Sequence, residues 1–297
     1  MMRSVEEYLG AHEHGQLRNG KSGAKVWAVE GKYVLKYVRK EALSDPEMFS
    51  LYQNEARFYR LFQQGLEEEL LCLPRVLDVG ISDTEIWILM EKYEELSRES
   101  INEELLRKIM GVLAGVHVRK VPEFLWRERK EPEDLDDKGI ESCLVGWRSV
   151  LAEHPGVFDE KILERAAGEF NDILHWHHGE AQVLSHGDFH WDNLLRKKNG
   201  DIVVCDWQGV GAGGASGDMS FFLSRLGADG VEIAPERAVK LYCQERRELT
   251  GELISSQELL RHMRAANVIT SFQFWHEYLH GSSCERVRGI YEKMVMN

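Results

Sequence analysis

Apolar residues alternate with polar ones over short runs in the first ninety positions, then recur at helical spacing over longer runs. Residues 24–38, AKVWAVEGKYVLKYV, predict two β-strands that turn at Glu30-Gly31, with Val26, Ala28, Tyr33, Val34 and Leu35 as the apolar content. Ser44 or Asp45 is suited to cap a helix and Pro46 to open it; that helix runs to about Phe62 with Leu51, Glu55, Phe58 and Phe62 along one face. Two more strands are expected near 75–80 and 85–90, joined at Ser82-Asp83. The order strand, strand, strand, helix, strand, strand makes a small antiparallel sheet carrying one helix.

Past Glu91-Lys92-Tyr93 the period changes. Leu105, Ile109, Leu113 and Val116 form one stripe over 101–117, and helical spacing returns over 159–178, over 235–249 and from about 256 onward. Residues 121–140, charged and containing Pro122 and Pro132, predict an exposed connection, and 183–220 reads as helix-poor. The pattern predicts an α+β chain of two lobes that change over near 91–95: residues 1–92, and a mainly helical part at 93–297.

A formal net charge of -13 argues against nucleic acid as partner. No apolar run is long enough to span a bilayer, and the start, with Glu6 and Glu7, does not read as a signal peptide. Five scattered cysteines without Cys-x-x-Cys read as reduced thiols, so a cytoplasmic protein is expected, as a monomer or weak dimer.

The chemistry concentrates in LSHGDFHWDNL at 184–194 and IVVCDWQGVG at 202–211. Moving a phosphoryl group to an alcohol needs a carboxylate to orient the hydroxyl and take its proton, plus oxygen ligands for a cation. If that is the task, Asp188 can be the first group, Asn193 a neutral ligand five residues on, and Asp206 an anionic one at a strand end. A hairpin turning at Asn199-Gly200, with Leu194-Leu195 on one arm and Ile202–Cys205 on the other, returns Asp206 beside Asn193.

HGDFHWDN resembles the H-G-D-x-x-x-x-N catalytic loop of the aminoglycoside phosphotransferase and choline kinase superfamily. CDW at 205–207 resembles its metal motif, and Gly217-Asp218 before Phe221-Phe222-Leu223 its downstream G-D segment, here without a second aspartate. The resemblance implies a bilobal protein-kinase-like fold and transfer of the γ-phosphate of ATP, with Mg²⁺, to a small-molecule hydroxyl. Aminoglycosides or other antibiotics, amino alcohols such as choline and sugar-like metabolites are the implied acceptors, and antibiotic resistance one implied context. It makes Asp188 the catalytic base, Asn193 and Asp206 the Mg²⁺ ligands, His186 a brace and Asp218 a structural anion in a loop.

A kinase of this kind also needs a strand lysine for the phosphates and a helix glutamate to fix it. Lys36, within VLKYV, and Glu55 fit, since a charge flanked by apolar residues needs a partner. Asn19 to Gly23, with Ser22 and Gly23 at its end, resembles the nucleotide loop and also suits an ordinary hairpin turn. Met90–Tyr93, including Glu91 and Tyr93, resembles the hinge whose main chain meets adenine, and His117 reads as a packed core histidine.

A rival reading treats alternating His186, Asp188, His190 and Asp192 as the ligands of a metal-dependent hydrolase, which requires an extended segment. A nucleotide-binding module without catalysis requires a missing catalytic group. For the acceptor, the aromatics Phe272, Phe274, Trp275, His276 and Tyr278 beside Glu277 could hold a cationic molecule, although burial is the usual fate of aromatics at helical spacing, and Trp191 could shape the acceptor pocket. The acidic run Glu131–Asp137 is either a rim for such a molecule or a solvated face, and His175, His177 and His178 read as surface or packing residues.

Overall fold

The hairpin that opens the sheet follows from two left-handed residues: Glu30 at φ 51° and Gly31 at φ 66° form a tight turn closed by Lys32 N–H donating to Val29 O at 3.1 Å. In the computed structural model, which describes residues 4–17, 23–45, 47–63, 70–98, 101–126 and 131–295, this turn joins β2 (Lys25–Val29) to β3 (Tyr33–Arg39). With β1 (His14–Gln16), β4 (Val76–Ile81) and β5 (Glu85–Glu91) they form an antiparallel sheet in the order β1-β2-β3-β5-β4. In the β3–β5 register Lys36 stands opposite Ile88. A short first helix, α1 (Val5–Ala11), precedes the sheet.

Helix α2 (Met48–Gln63) buries Phe49, Tyr52, Ala56, Phe58 and Tyr59, and on that same buried side carries Glu55. Asp45 Oδ1 accepts from Glu47 N–H at 2.9 Å ahead of the helix, while Pro46 lies outside the described residues. The strands and α2 thus match the sequence pattern.

In the helical part, α3 (Glu103–His117) is capped by Asn102 and presents Leu106, Ile109, Leu113 and Val116 to the core. The next stretch departs from expectation. Val121 and Leu125 are buried, so the first part of the 121–140 stretch is pinned to the core, and a full helix, α4 (Asp137–Ala152), begins within its last part, capped by Asp136. Its buried face is only Cys143, Trp147, Val150 and Leu151, and two glycines interrupt the stripe, which hides its period. Helix α5 (Glu160–His178) leads to β7–β10: β7 (Gln182–Ser185) pairs with β10 (Gly211–Gly214), and the hairpin β8 (Leu194–Arg196) and β9 (Ile202–Val204) lies beside β6 (Glu94–Glu95), a short strand that precedes α3. Helix α6 (Ala215–Ala228) begins where a loop was expected, so Asp218 sits in a first helical turn. Then come α7 (Pro235–Thr250), α8 (Ser256–Phe274), a 3₁₀ turn at Trp275–Tyr278 and α9 (Cys284–Tyr291). The last periodic stretch is therefore broken, not continuous.

One hydrophobic core runs from Phe49 and Phe58 of α2 through Leu113 of α3 to Phe189, Trp207 and Phe222. Phe58 stacks on Trp207 at 4.9 Å, so the sheet-bearing region and the helical region share packing at the place where their polar residues meet. A second core gathers Trp147, Phe170, Phe272 and Tyr291 among α4, α5, α8 and α9. No helix among the described residues is long and apolar enough to cross a membrane, and all five cysteines are free thiols.

Candidate active site

The strand β3 carries Lys36 inward, where it is 9% exposed, and a buried ammonium must find anions. It finds two. Lys36 Nζ donates to Glu55 Oε2 at 2.7 Å and to Asp206 Oδ1 at 2.6 Å, and lies 5.2 Å from the Tyr52 ring centroid. Burial alone would lower the ammonium's pKa; the two carboxylates outweigh it and hold it above its ordinary value. Glu55, with no exposure, is lifted by burial to about 7 against the pull of Lys36, and its Oε1 accepts from Trp207 N–H at 3.1 Å. For Asp206 burial works upward, but Lys36 and Gln208 prevail and keep the carboxyl below its ordinary range.

Asp206 has a left-handed backbone, φ 64°, rare for a residue other than glycine. This turn swings the chain from β9 into the 3₁₀ turn Trp207–Gly209 and delivers the Trp207 N–H to Glu55. Gln208 Nε2 also donates to Asp206 Oδ1, at 2.5 Å, which leaves Oδ2 without a hydrogen-bond donor among the described residues. Next to Asp206, Cys205 has its thiol pushed up to about 12 by burial and by that carboxylate.

The loop after β7 is built from the backbone out. His186 Nε2–H donates to Cys205 O at 3.0 Å, and its Nδ1 accepts from Asp188 N–H at 3.2 Å, which fixes a neutral tautomer. Burial depresses its pKa accordingly. Asp218 Oδ2 accepts from His117 Nε2, Ser185 Oγ and His186 N–H, at 3.1, 3.0 and 2.9 Å, and Oδ1 accepts from Gly187 N–H at 2.9 Å. Burial opposes ionisation there, but these donors win and hold Asp218 below its ordinary pKa. Gly187, at φ 75°, passes so close to Gly209 that a Cβ on it would sit 2.2 Å from Gly209 O. His117 is a packed core residue, its other nitrogen 2.9 Å from Tyr242 Oη.

Asp188 itself stays accessible, its side chain 42% exposed. Asn193 Nδ2 donates to Asp188 O at 2.9 Å and to Oδ2 at 3.3 Å, while Asn193 O accepts from Cys205 N–H at 2.9 Å. Asn193 is thus the link between Asp188 and the residue before Asp206. His190 Nε2 lies 3.6 Å from Asp188 Oδ2, and Nδ1 accepts from Asp192 N–H at 3.3 Å. Asp192 in turn pairs with Arg98 and Arg225.

Lys36, Glu55, Asp206, Asn193 and Asp188 therefore form one connected polar cluster. Ser22 lies outside the described residues; Gly23 is at φ 87° against Leu43. The Glu91 and Tyr93 side chains bind each other and Arg75, and they line a cavity of about 1080 Å³ bounded by Tyr59, Leu73 and Arg196, which neither Lys36 nor Asp188 lines. His186, Asp188, His190 and Asp192 do not converge on a metal: both His186 nitrogens are taken by backbone groups, and among the described residues the four form no ligand cluster. Trp191, expected at an acceptor pocket, is instead buried in the core with Nε1–H donating to Leu96 O at 2.9 Å. Of the late aromatics Phe272 is buried, whereas Phe274 and Tyr278 are exposed. Gln208, Ser185 and Tyr242 went unread, and so did the Gly187–Gly209 contact, whose only sequence trace is a glycine three residues past Asp206.

Residues 15–251 match the model of the phosphotransferase enzyme family, so the chain belongs to that family. It is a phosphotransferase of the small-molecule kinase class, with an antiparallel-sheet N-terminal region and a helical C-terminal region in the protein-kinase-like arrangement. No curated protein sequence matches it. Among solved structures it resembles the ADP-bound aminoglycoside phosphotransferase APH(2'')-Ib, with a TM-score of 0.59 at 15% identity over 100% of this chain and 98% of that one. The ethanolamine kinase of Plasmodium vivax gives 0.58 at 13% identity over 98% and 83% of the two chains. Choline kinase from Cryptosporidium parvum gives 0.54 at 9% identity over 96% and 88%.

Proposed function

We propose that the chain transfers the γ-phosphoryl group of ATP to a hydroxyl of a small molecule, with Asp188 as the catalytic carboxylate, residues 1–92 as the nucleotide lobe and 93–297 as the catalytic and acceptor lobe. The observation that carries this reading is the Lys36–Asp206 contact, with Asn193 tying the adjoining strand to Asp188. An ammonium has three donors, and Glu55 and Asp206 take two of Lys36's, leaving one for a phosphate oxygen. Near the 91–93 segment, Glu91 N–H and Lys92 N–H are already bonded to Arg75 O and Lys32 O, so among the described residues the Tyr93 N–H is the donor left for a base edge.

The donor set fits Mg²⁺, a hard cation that takes oxygen ligands. Asn193 turns its amide nitrogen to Asp188, leaving Oδ1 for a cation, and Asp206 keeps Oδ2. When bound, the ion would neutralise charge on the phosphate oxygens. Asp188 Oδ accepts the acceptor hydroxyl's proton, the freed oxygen bonds to the γ-phosphorus, and the bond from that phosphorus to the β–γ bridging oxygen breaks, releasing ADP. Asn193 holds the Asp188 carboxylate in place, and Asp218 holds the loop backbone beneath it.

Aminoglycosides, amino alcohols and sugar-like metabolites are the acceptor classes in view, and the exposed Phe274 and Tyr278 beside Glu277 support a cationic one. An ADP-release screen over amino sugars, amino alcohols, antibiotics and simple sugars tests this. One class should raise ADP release well above the acceptor-free rate, with a phosphorylated product in equal amount; ADP release with only inorganic phosphate as product would overturn it.

A further inference from the structure

Helix α5 ends in His175-Trp176-His177-His178. Two of these imidazoles meet acidic residues of the preceding connection: His175 Nε2 lies 2.7 Å from Asp134 Oδ1, and His178 Nδ1 lies 3.7 Å from Glu131 Oε2. His177 lies against α8 instead, its ring 5.7 Å from that of His262. His262 is 7% exposed and stacks on Trp176 at 4.0 Å, which fixes the plane of its ring. Glu180, three residues after His177, completes the group. One ligand atom each from His177, Glu180 and His262 lies within 4.8 Å of the other two.

We propose that these three residues bind a single Zn²⁺ ion, separately from the phosphoryl-transfer site and independently of the function proposed above. Two imidazoles and one carboxylate are a donor set that Zn²⁺ takes with three protein ligands and a water in the fourth position. Bonds of about 2.0–2.2 Å on a tetrahedral ion put donors roughly 3.4 Å apart, so movements of about 1 Å or less in the side chains close the site. Imidazole also disfavours Mg²⁺ and Ca²⁺, which take oxygen ligands.

Glu180 is held as a metal-binding carboxylate needs to be. Oε1 accepts from Ser216 N–H at 2.9 Å and Oε2 from Ser216 Oγ at 2.6 Å, which orients the group. Gly214 packs so closely that a Cβ there would lie 2.0 Å from Glu180 Oε2. The ion thereby clamps the end of α5 to α8 and, through Ser216, to the first turn of α6, two residues before the Asp218 that supports the catalytic loop. It acts as a structural cross-link.

The 297-residue chain, stripped with a chelator and exchanged into metal-free buffer, is titrated with ZnCl₂ by calorimetry and with Co²⁺ by absorption spectroscopy. One equivalent of Zn²⁺ should bind with micromolar or tighter affinity and raise Tm by several degrees, and Co²⁺ should give the intense visible bands of a four-coordinate site. His177→Ala should weaken Zn²⁺ binding at least 30-fold and abolish the Tm shift. His262→Ala should do the same, and because His262 is buried, the partly exposed His177 keeps the test independent of folding. His175→Ala should bind as the unaltered protein does. No stoichiometric binding, or equal affinity in His177→Ala, or a loss that follows His175 instead, overturns the site.

Discussion

Lys36 and Asp206 stand 170 residues apart in sequence and 2.6 Å apart in space, Nζ to Oδ1. With Glu55 on its other side, Lys36 is the cation that pairs with one fully buried carboxylate and one partly exposed one. Removing it from a buried cluster of this kind costs about 3–5 kcal/mol, so Lys36→Met should lose stability of that order and most turnover. Lys36→Arg should restore neither, because a planar fork cannot replace a compact ammonium there. The loss carries a pH signature. Glu55 already sits at about 7 because burial outweighs Lys36. Without Lys36 its native pKa rises further above the unfolded value, so the folded state holds a proton that the unfolded state releases, and stability falls as pH rises through that range. Urea denaturation at pH 6 and pH 8 should show Lys36→Met closer to the unaltered protein at pH 6.

Asp218 gives the opposite sign. Its folded pKa lies below the ordinary value of 3.8, so its contribution is present above that value and is lost as pH falls through the folded one. Asp218→Asn should cost about 3 kcal/mol at pH 7, since an amide presents a donor where His117, Ser185, His186 and Gly187 all donate. Below pH 4 the gap between variant and unaltered protein should narrow. Denaturation midpoints measured across pH 3–7 check the convergence.

Much of this was legible beforehand, for a physical reason. Strands and helices with a single buried face write their period into the sequence, and β2, β3, α2, α3 and α5 did so. The gathering of Asp188, Asn193 and Asp206 was legible because HGDFHWDN and CDW keep fixed spacing around a hairpin. Helix α6 was not, because GGASGDM reads as a turn and the helix is stabilised by contacts from distant residues, Glu180 to Ser216 and His117 to Asp218. Trp191 misled because adjacency to a reactive loop says nothing about the direction of an indole, and this one points at Leu96 O. Glu180 and His262 are 82 residues apart, a proximity that no local pattern could disclose.

Gly187→Ala tests the backbone crossing. A Cβ would meet Gly209 O at 2.2 Å and occupy a left-handed residue, so the loop must shift. The variant should lose at least about 2 kcal/mol of stability and a larger share of kcat than of nucleotide affinity. Unchanged kcat would show that the loop tolerates the displacement.

Asp206→Asn keeps the shape and the tolerance for a left-handed backbone while removing the charge. Its nucleotide affinity in Mg²⁺ should fall about 10-fold or more, and chelation of Mg²⁺ should lower affinity far less in the variant than in the unaltered protein. Fluorescent-nucleotide binding with and without chelator reads both. Equal sensitivity to chelation would move the metal ligand elsewhere.

The most direct measurement compares Asp188→Asn with the unaltered protein, using the best acceptor from the screen and measuring kcat and ATP affinity on the same preparations. Turnover should fall by about 10²–10⁴ while ATP affinity stays within about threefold, because in the proposed reaction Asp188 meets the acceptor hydroxyl and not the nucleotide. Turnover within twofold of the unaltered protein would contradict the assignment of Asp188 as the proton acceptor.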